Sequence, residues 1–150
     1  MAMADRILVL VEGEAVQLDT PQALWQQPAH RFVAETIAGL QTLRGKVTGD
    51  HIATAFGELA IDAIRGASAL TDGQAITLGV RGSSVRIAND VTERAAYSAV
   101  EDIRFDGMHW TALVRHEDQQ LRFVLDHKSQ VQTGSQVALS FTDVEAVLYS

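Results

Sequence analysis

Gly73-Gln74-Ala75-Ile76-Thr77-Leu78-Gly79-Val80 and Gly134-Ser135-Gln136-Val137-Ala138-Leu139-Ser140-Phe141 decide how this chain is read. Each opens on a glycine and then places apolar residues at every second position, the period of a strand with one face on a core. The two stretches share a register. Gly73, Ile76, Leu78, Val80 and Ile87 recur as Gly134, Val137, Leu139, Phe141 and Leu148, each 61 positions further on. A common register carries weight because a slip of one residue would turn every apolar side chain to the other face. Two amphipathic strands after glycine turns can also look alike without a shared origin, and the β assignment holds either way.

Working outward, further short strands are expected at 44–48, 52–56, 58–61, 85–87 and 100–105. Residues 111–115 and 121–125 flank the polar stretch 116–120 as a hairpin. Glycines punctuate these runs, and many short strands at close spacing indicate a small barrel or sandwich. The expectation from Leu43 onward is all-β, as two related lobes at 43–90 and 97–150. Arg44-Gly45-Lys46-Val47 opens the first and Ala99-Val100-Glu101-Asp102-Ile103 the second.

The first forty residues read differently. Ile7 to Val11 is an apolar run of strand length, Glu12-Gly13 breaks it, and Ala15 to Leu18 resumes. Thr20-Pro21 starts a helix, since threonine can accept a bond from an orphan amide and proline suits the first turn. Pro28 stops it, and a second helix is expected over 29–38. One hairpin and two short helices make little core, so Ile7, Val9, Leu24 and Trp25 are expected to need cover from elsewhere.

Composition excludes several classes. At 150 residues the chain can bury a real core, as one domain or two small ones. It has no cysteine, hence no disulfide framework and no thiolate chemistry. No apolar run approaches the ~18 residues of a membrane span, and the N-terminus lacks a signal-peptide pattern. Twelve basic against nineteen acidic residues, for a net charge of −7, with only Lys46 and Lys128 as lysines, leave no basic stripe for nucleic acid.

The residues also offer no assembled active site. Five positions separate Gly39 from Gly45-Lys46 and Val47 follows the lysine, so the phosphate-loop pattern fails twice. His30, His51, His109, His116 and His127 show no metal-ligand spacing. The serines lack a nucleophile-elbow context, and Glu12 with Glu14, Glu101 with Asp102 and Glu117 with Asp118 read as solvated charge. Catalytic, metal and cofactor residues are therefore expected to be none in this chain.

A family resemblance begins in the first forty residues. Ala4-Asp5-Arg6-Ile7, Gly13, Thr20-Pro21-Gln22-Ala23-Leu24-Trp25 and Pro28-Ala29-His30-Arg31-Phe32-Val33-Ala34 resemble the end of the nucleotide-binding domain of ABC importer ATPases. Asp19, Ala23, Trp25 and Thr36 depart from the usual glycine, glutamate, tyrosine and phenylalanine. Gly73 to Ile87 and Gly134 to Leu148 resemble the closing motifs of the oligonucleotide-binding-like (TOBE) regulatory region in the maltose, iron, polyamine and sulfate group, with Gly82-Ser83 where Pro-Glu is usual.

The resemblance implies residues 1–40 as the incomplete end of a nucleotide-binding domain and 41–150 as a TOBE region. The implied role is regulation and dimerisation in an importer of a small solute, with iron or polyamine ahead of sugar. It further implies no catalysis by this chain, with ATP and magnesium belonging to a full-length parent. Partners would be a second copy, the upstream nucleotide-binding domain and permease subunits, in the cytoplasm at the inner face of the membrane. Related molybdate-type lobes bind oxyanions, which implies an alternative role as a module that binds a small ligand, an oxyanion or the transported solute. Arg81, Gly82 and Ser83 would then be the ligand or interface turn, through backbone amides and the two polar side chains.

Overall fold

The computed structural model describes residues 4–67, 69–90 and 95–146. Leu148, the last member of the repeat, lies outside them. The fold is mainly β, with curled sheets of the OB-like kind, a β-hairpin and two short helices. Two compact units divide the chain between Gln41 and Thr42.

In the first unit β1 (Ile7–Val11) and β2 (Glu14–Asp19) pair antiparallel, with Leu8 opposite Leu18. Helix α1 (Pro21–Gln26) starts where the Thr20 hydroxyl accepts the Ala23 N–H at 3.2 Å, with proline in the first turn. Helix α2 (Arg31–Thr36) is capped by His30, whose Nδ1 accepts the Phe32 N–H at 3.1 Å. Val9, Leu24 and Val33 form a small buried cluster, with Ile7 and Val16 against it. The expectation that Val9 and Leu24 need outside cover is thus corrected, because they cover each other within this unit. The open apolar side is instead Leu8, Leu10 and Leu18, on the other face of the hairpin, together with Trp25, Phe32 and Ile37.

The second unit holds the main core and two sheets. The sequence places β3 (Leu40–Thr48), β4 (His51–Thr54), β5 (Gly57–Ala60), β6 (Ile64–Arg65), β7 (Ala75–Arg81) and β8 (Val85–Ile87) in the first half. The second half supplies β9 (Tyr97–Phe105), β10 (Trp110–His116), β11 (Gln119–Val124), β12 (Gln136–Phe141) and β13 (Val144–Ala146). The sheets run β5-β4-β3-β7-β13-β6 and β11-β10-β9-β12-β8. Each half therefore gives its last strand to the sheet of the other. β8 pairs antiparallel with β12 through Val85–Phe141 and Ile87–Leu139, and β13 pairs antiparallel with β7 through Glu145–Gly79.

The duplication seen in the sequence reappears in the hydrogen bonds. Gly73 N–H donates to Val47 O at 2.9 Å and Gly134 N–H to Val100 O at 2.8 Å. Val47 N–H in turn donates to Gln74 O, and Val100 N–H to Ser135 O, both at 2.9 Å. Both glycines turn at positive φ, +80° and +91°, which is why the position calls for glycine in both copies. One continuous core results: Leu43, Ile52, Phe56, Leu78, Val80 and Val85 pack in the same cluster as Val100, Val114, Leu121, Phe123 and Val144.

The structure adds to the sequence expectation at two places. β6 and β13 were not anticipated, being two and three residues long and too short to show a period. The polar stretch between β10 and β11 is a tight turn at Glu117-Asp118, with His116 opposite Gln119, so both strands extend into the expected loop.

Gly45 in β3 has no room for a side chain, since a Cβ there would stand 2.4 Å from Ile52 Cγ2 and 3.3 Å from Ala53 O. Gly45→Ala should therefore force apart two paired strands and lower stability by about 1–3 kcal/mol in urea denaturation. An unchanged unfolding midpoint would show that β3 and β4 are less closely packed than described.

Candidate functional site

Residues 81–84 and 142–143 carry the chain from one sheet to the other, and they meet. Gly82–Ser84 form one turn of 3-10 helix between β7 and β8. Thr142 donates to Ser84 O from its backbone N–H at 2.9 Å and from its hydroxyl at 3.1 Å. The two crossings are thus bonded to each other, and the exchange of strands is pinned at that point.

Arg81, expected to offer its guanidinium to a ligand, ends β7 with its side chain turned inward and 4% exposed. Its Nη1 lies 3.9 Å from Asp143 Oδ2. Oδ1 of the same carboxylate accepts Arg65 Nη2 at 2.9 Å, and Arg65 Nη2 also reaches Glu145 Oε2 at 3.1 Å. Asp143 holds a left-handed φ of +51°, rare for a residue with a side chain. The group of Arg65, Arg81, Asp143 and Glu145 sits where β13 enters between β6 and β7, so its charges hold the crossing in place. Ser83 is exposed on the turn, and its carbonyl accepts Arg86 Nη1 at 2.6 Å. The structure brings Arg81, Gly82 and Ser83 to one crossing, with Arg81 facing Asp143 and Ser83 facing solvent. Sequence reading missed Asp143, Arg65 and Glu145, for they lie 62, 16 and 64 positions from Arg81.

The perturbed carboxylates are held as anions. A hydrogen bond from Arg122 at 2.9 Å, with Arg104 at 2.7 Å, keeps the Asp102 carboxyl below its ordinary value. Backbone N–H groups do the same for Asp106, through His109 and Met108 at 2.7 and 2.9 Å, and for Asp126, through Lys128 at 3.0 Å. A general acid for chemistry near neutral pH requires the opposite shift. Among the described residues no group of three or more His, Asp and Glu side chains is placed to hold a metal ion.

Two openings in this unit are lined by described residues. The larger, of about 680 Å³, is floored by Phe56, Leu59, Ile64, Phe141 and Val144. The smaller, of about 380 Å³, lies between β8 and the segment after β11. An aromatic pair, Phe105 and Trp110, stands exposed at the end of the β9–β10 hairpin with ring centroids 5.3 Å apart.

No family model matches the chain. Over 52 residues, 35% of this chain, it is 36% identical to the sulfate/thiosulfate import ATP-binding protein CysA of Yersinia pseudotuberculosis serotype I. The protein of the same name from Yersinia pestis gives the same figures. The likeness is to an importer's ATP-binding protein. It supports an ABC importer ATP-binding subunit as the kind of protein to which this chain is related. The match spans only 14% of the length of each of these relatives. Among the described residues no helix is long and apolar enough to cross a membrane.

Two outcomes test the charge arrangements. Asp143→Ala removes the carboxylate facing buried Arg81 and should cost about 1–3 kcal/mol in chemical denaturation; equal stability would show that the charges do not hold the crossing. The folded-state pKa of Asp102 lies below the unfolded value, so its contribution is present above pH 3.8 and is lost as pH falls through the folded value. Thermal unfolding should place Asp102→Asn below the parent at pH 7, with the gap closing in acid. A gap constant with pH would contradict the assignment.

Proposed function

We propose that this chain is the regulatory and dimerisation region at the C-terminal end of the ATP-binding subunit of an ABC importer for a small solute. The observation that carries the reading is the 36% identity over 52 residues to import ATP-binding proteins. Two features agree with it. The order of motifs in residues 1–40 resembles the end of a nucleotide-binding domain, and the β-rich remainder has the OB-like character of the regulatory region in that group. The phosphate-loop pattern fails in this sequence, which favours a role without hydrolysis by the chain itself. In a full-length parent, ATP and magnesium would belong to the preceding domain.

The same reading makes a second copy and permease subunits the partners, and places the protein in the cytoplasm on the inner face of the membrane. The relatives are named for sulfate and thiosulfate import. The compactness of the second half, without a long insertion, leans toward the iron and polyamine branches ahead of sugar. Small solute is the class common to these.

Light scattering on the purified chain should give a mass of twice 16.3 kDa, and the same sample should hydrolyse no ATP above background. A monomer at all concentrations would overturn the dimerisation role. Hydrolysis that persists through successive purification steps would overturn the assignment of catalysis to a preceding domain.

A further inference from the structure

The two sheets of the second unit are built alike, and the place where they differ is a cleft. β5-β4-β3-β7 followed by β13 matches β11-β10-β9-β12 followed by β8, strand for strand. Beyond β13 the first sheet continues, because β6 runs parallel to it through Val144–Ile64 and Glu145–Arg65. Beyond β8 the second sheet has no further strand among the described residues. The side of β8 away from β12, where the first sheet carries β6, instead borders the opening of about 380 Å³.

The direction of the ladder turns alternate backbone groups of β8 to that side. Thr142 N–H donates to Ser84 O and Ala88 N–H to Ala138 O, so Ser84, Arg86 and Ala88 turn their backbone groups to β12. By the alternation of an antiparallel ladder, Val85 and Ile87 turn theirs the other way. The Val85 carbonyl there accepts Arg86 Nη1 at 2.8 Å, which lays the guanidinium along the edge.

The lining has two kinds of surface. Ile87, Val124, Leu125 and Val131 give an apolar floor. Arg86 and Lys128 bring positive charge to the rim, and Asn89 and Ser129 add an amide and a hydroxyl. In a chain of net charge −7 with two lysines, the convergence of an arginine and a lysine on one cleft sets it apart from the surface as a whole. Asp126 is the acidic member of the lining, and its Oδ1 is engaged by the Lys128 N–H at 3.0 Å. Arg86, Lys128 and Asp126 together leave one positive charge. A cleft of this size with an apolar floor and a few polar groups matches small-molecule sites in general.

We propose that the cleft between β8 and residues 124–131 binds a small organic anion, an acidic head on an apolar body. The head would sit at Arg86 and Lys128, and the body on Ile87, Val124, Leu125 and Val131. This site adjoins the Arg81–Ser83 turn, whose Ser83 carbonyl accepts Arg86 Nη1, but its lining is other residues, and it does not depend on the importer reading.

Amide chemical-shift titration of the whole chain tests it, with benzoate as the probe and sulfate and benzylamine as controls. Benzoate should move the amides of Ile87, Asn89, Lys128 and Ser129 saturably, sulfate should bind more weakly, and benzylamine should leave them still. Charge should then order the affinities. Lys128→Gln, which neutralises the cleft, should weaken benzoate about 3- to 10-fold, and Asp126→Asn, which keeps the Oδ1 acceptor, should strengthen it about 3- to 10-fold. Both changes are at exposed positions of the loop. Sulfate binding as tightly as benzoate would overturn the role of the apolar floor. Shifts centred elsewhere, no saturation, benzylamine binding equally well, or affinities unmoved by either variant would overturn the site itself.

Discussion

The reciprocal exchange of β8 and β13 is the constraint on which the rest of the second unit depends. Each half ends on a strand of three residues, β8 and β13, and the sheet of the other half receives it. Val85 and Val144 thereby enter one shared core. The hydrogen bonds from Thr142 to Ser84 O tie the two crossings together, and Arg81 with Asp143 places a charge pair beside them. A change that loosens one crossing therefore acts on both sheets.

Arg81, offered by the sequence as a ligand donor, and Asp102, read there as solvated charge, both lie in ion pairs. Arg81 faces Asp143, which itself bonds Arg65, and Asp102 on β9 bonds Arg122 on β11, across the intervening strand β10. The perturbed acids are stabilised as anions, as suits turns and ladder crossings. What is left for recognition is surface: the leucines on the open face of the first hairpin, the exposed Phe105–Trp110 pair, and the seams where the sheets end.

Much of the fold was legible because it is written in local signals. Period-two alternation gave β7 and β12, the Thr20-Pro21 pair gave α1, and the shared register of Gly73 and Gly134 goes with a shared hydrogen-bond pattern. The exchange was not legible, since β8 and β13 carry the same pattern whichever sheet receives them. β6 has two residues and no period to detect. The cleft was hidden for a similar reason: its walls, at 86–89 and 124–131, come together only when β8 joins the second half. The inward turn of Arg81 was likewise unreadable without Asp143 beside it, at a distance of 62 positions in the chain.

Native-state hydrogen exchange with increasing denaturant tests the central claim most directly, namely that strand exchange makes residues 42–146 one cooperative body. The amides of Val47 and Gly73, bonded within the first half, of Val100 and Gly134, bonded within the second, and of Ala88, bonded across to Ala138, should merge into a single unfolding isotherm. If Val47 and Gly73 instead opened at a clearly different free energy from Val100 and Gly134, the halves would be separate units, and the exchange would not be what holds the fold together.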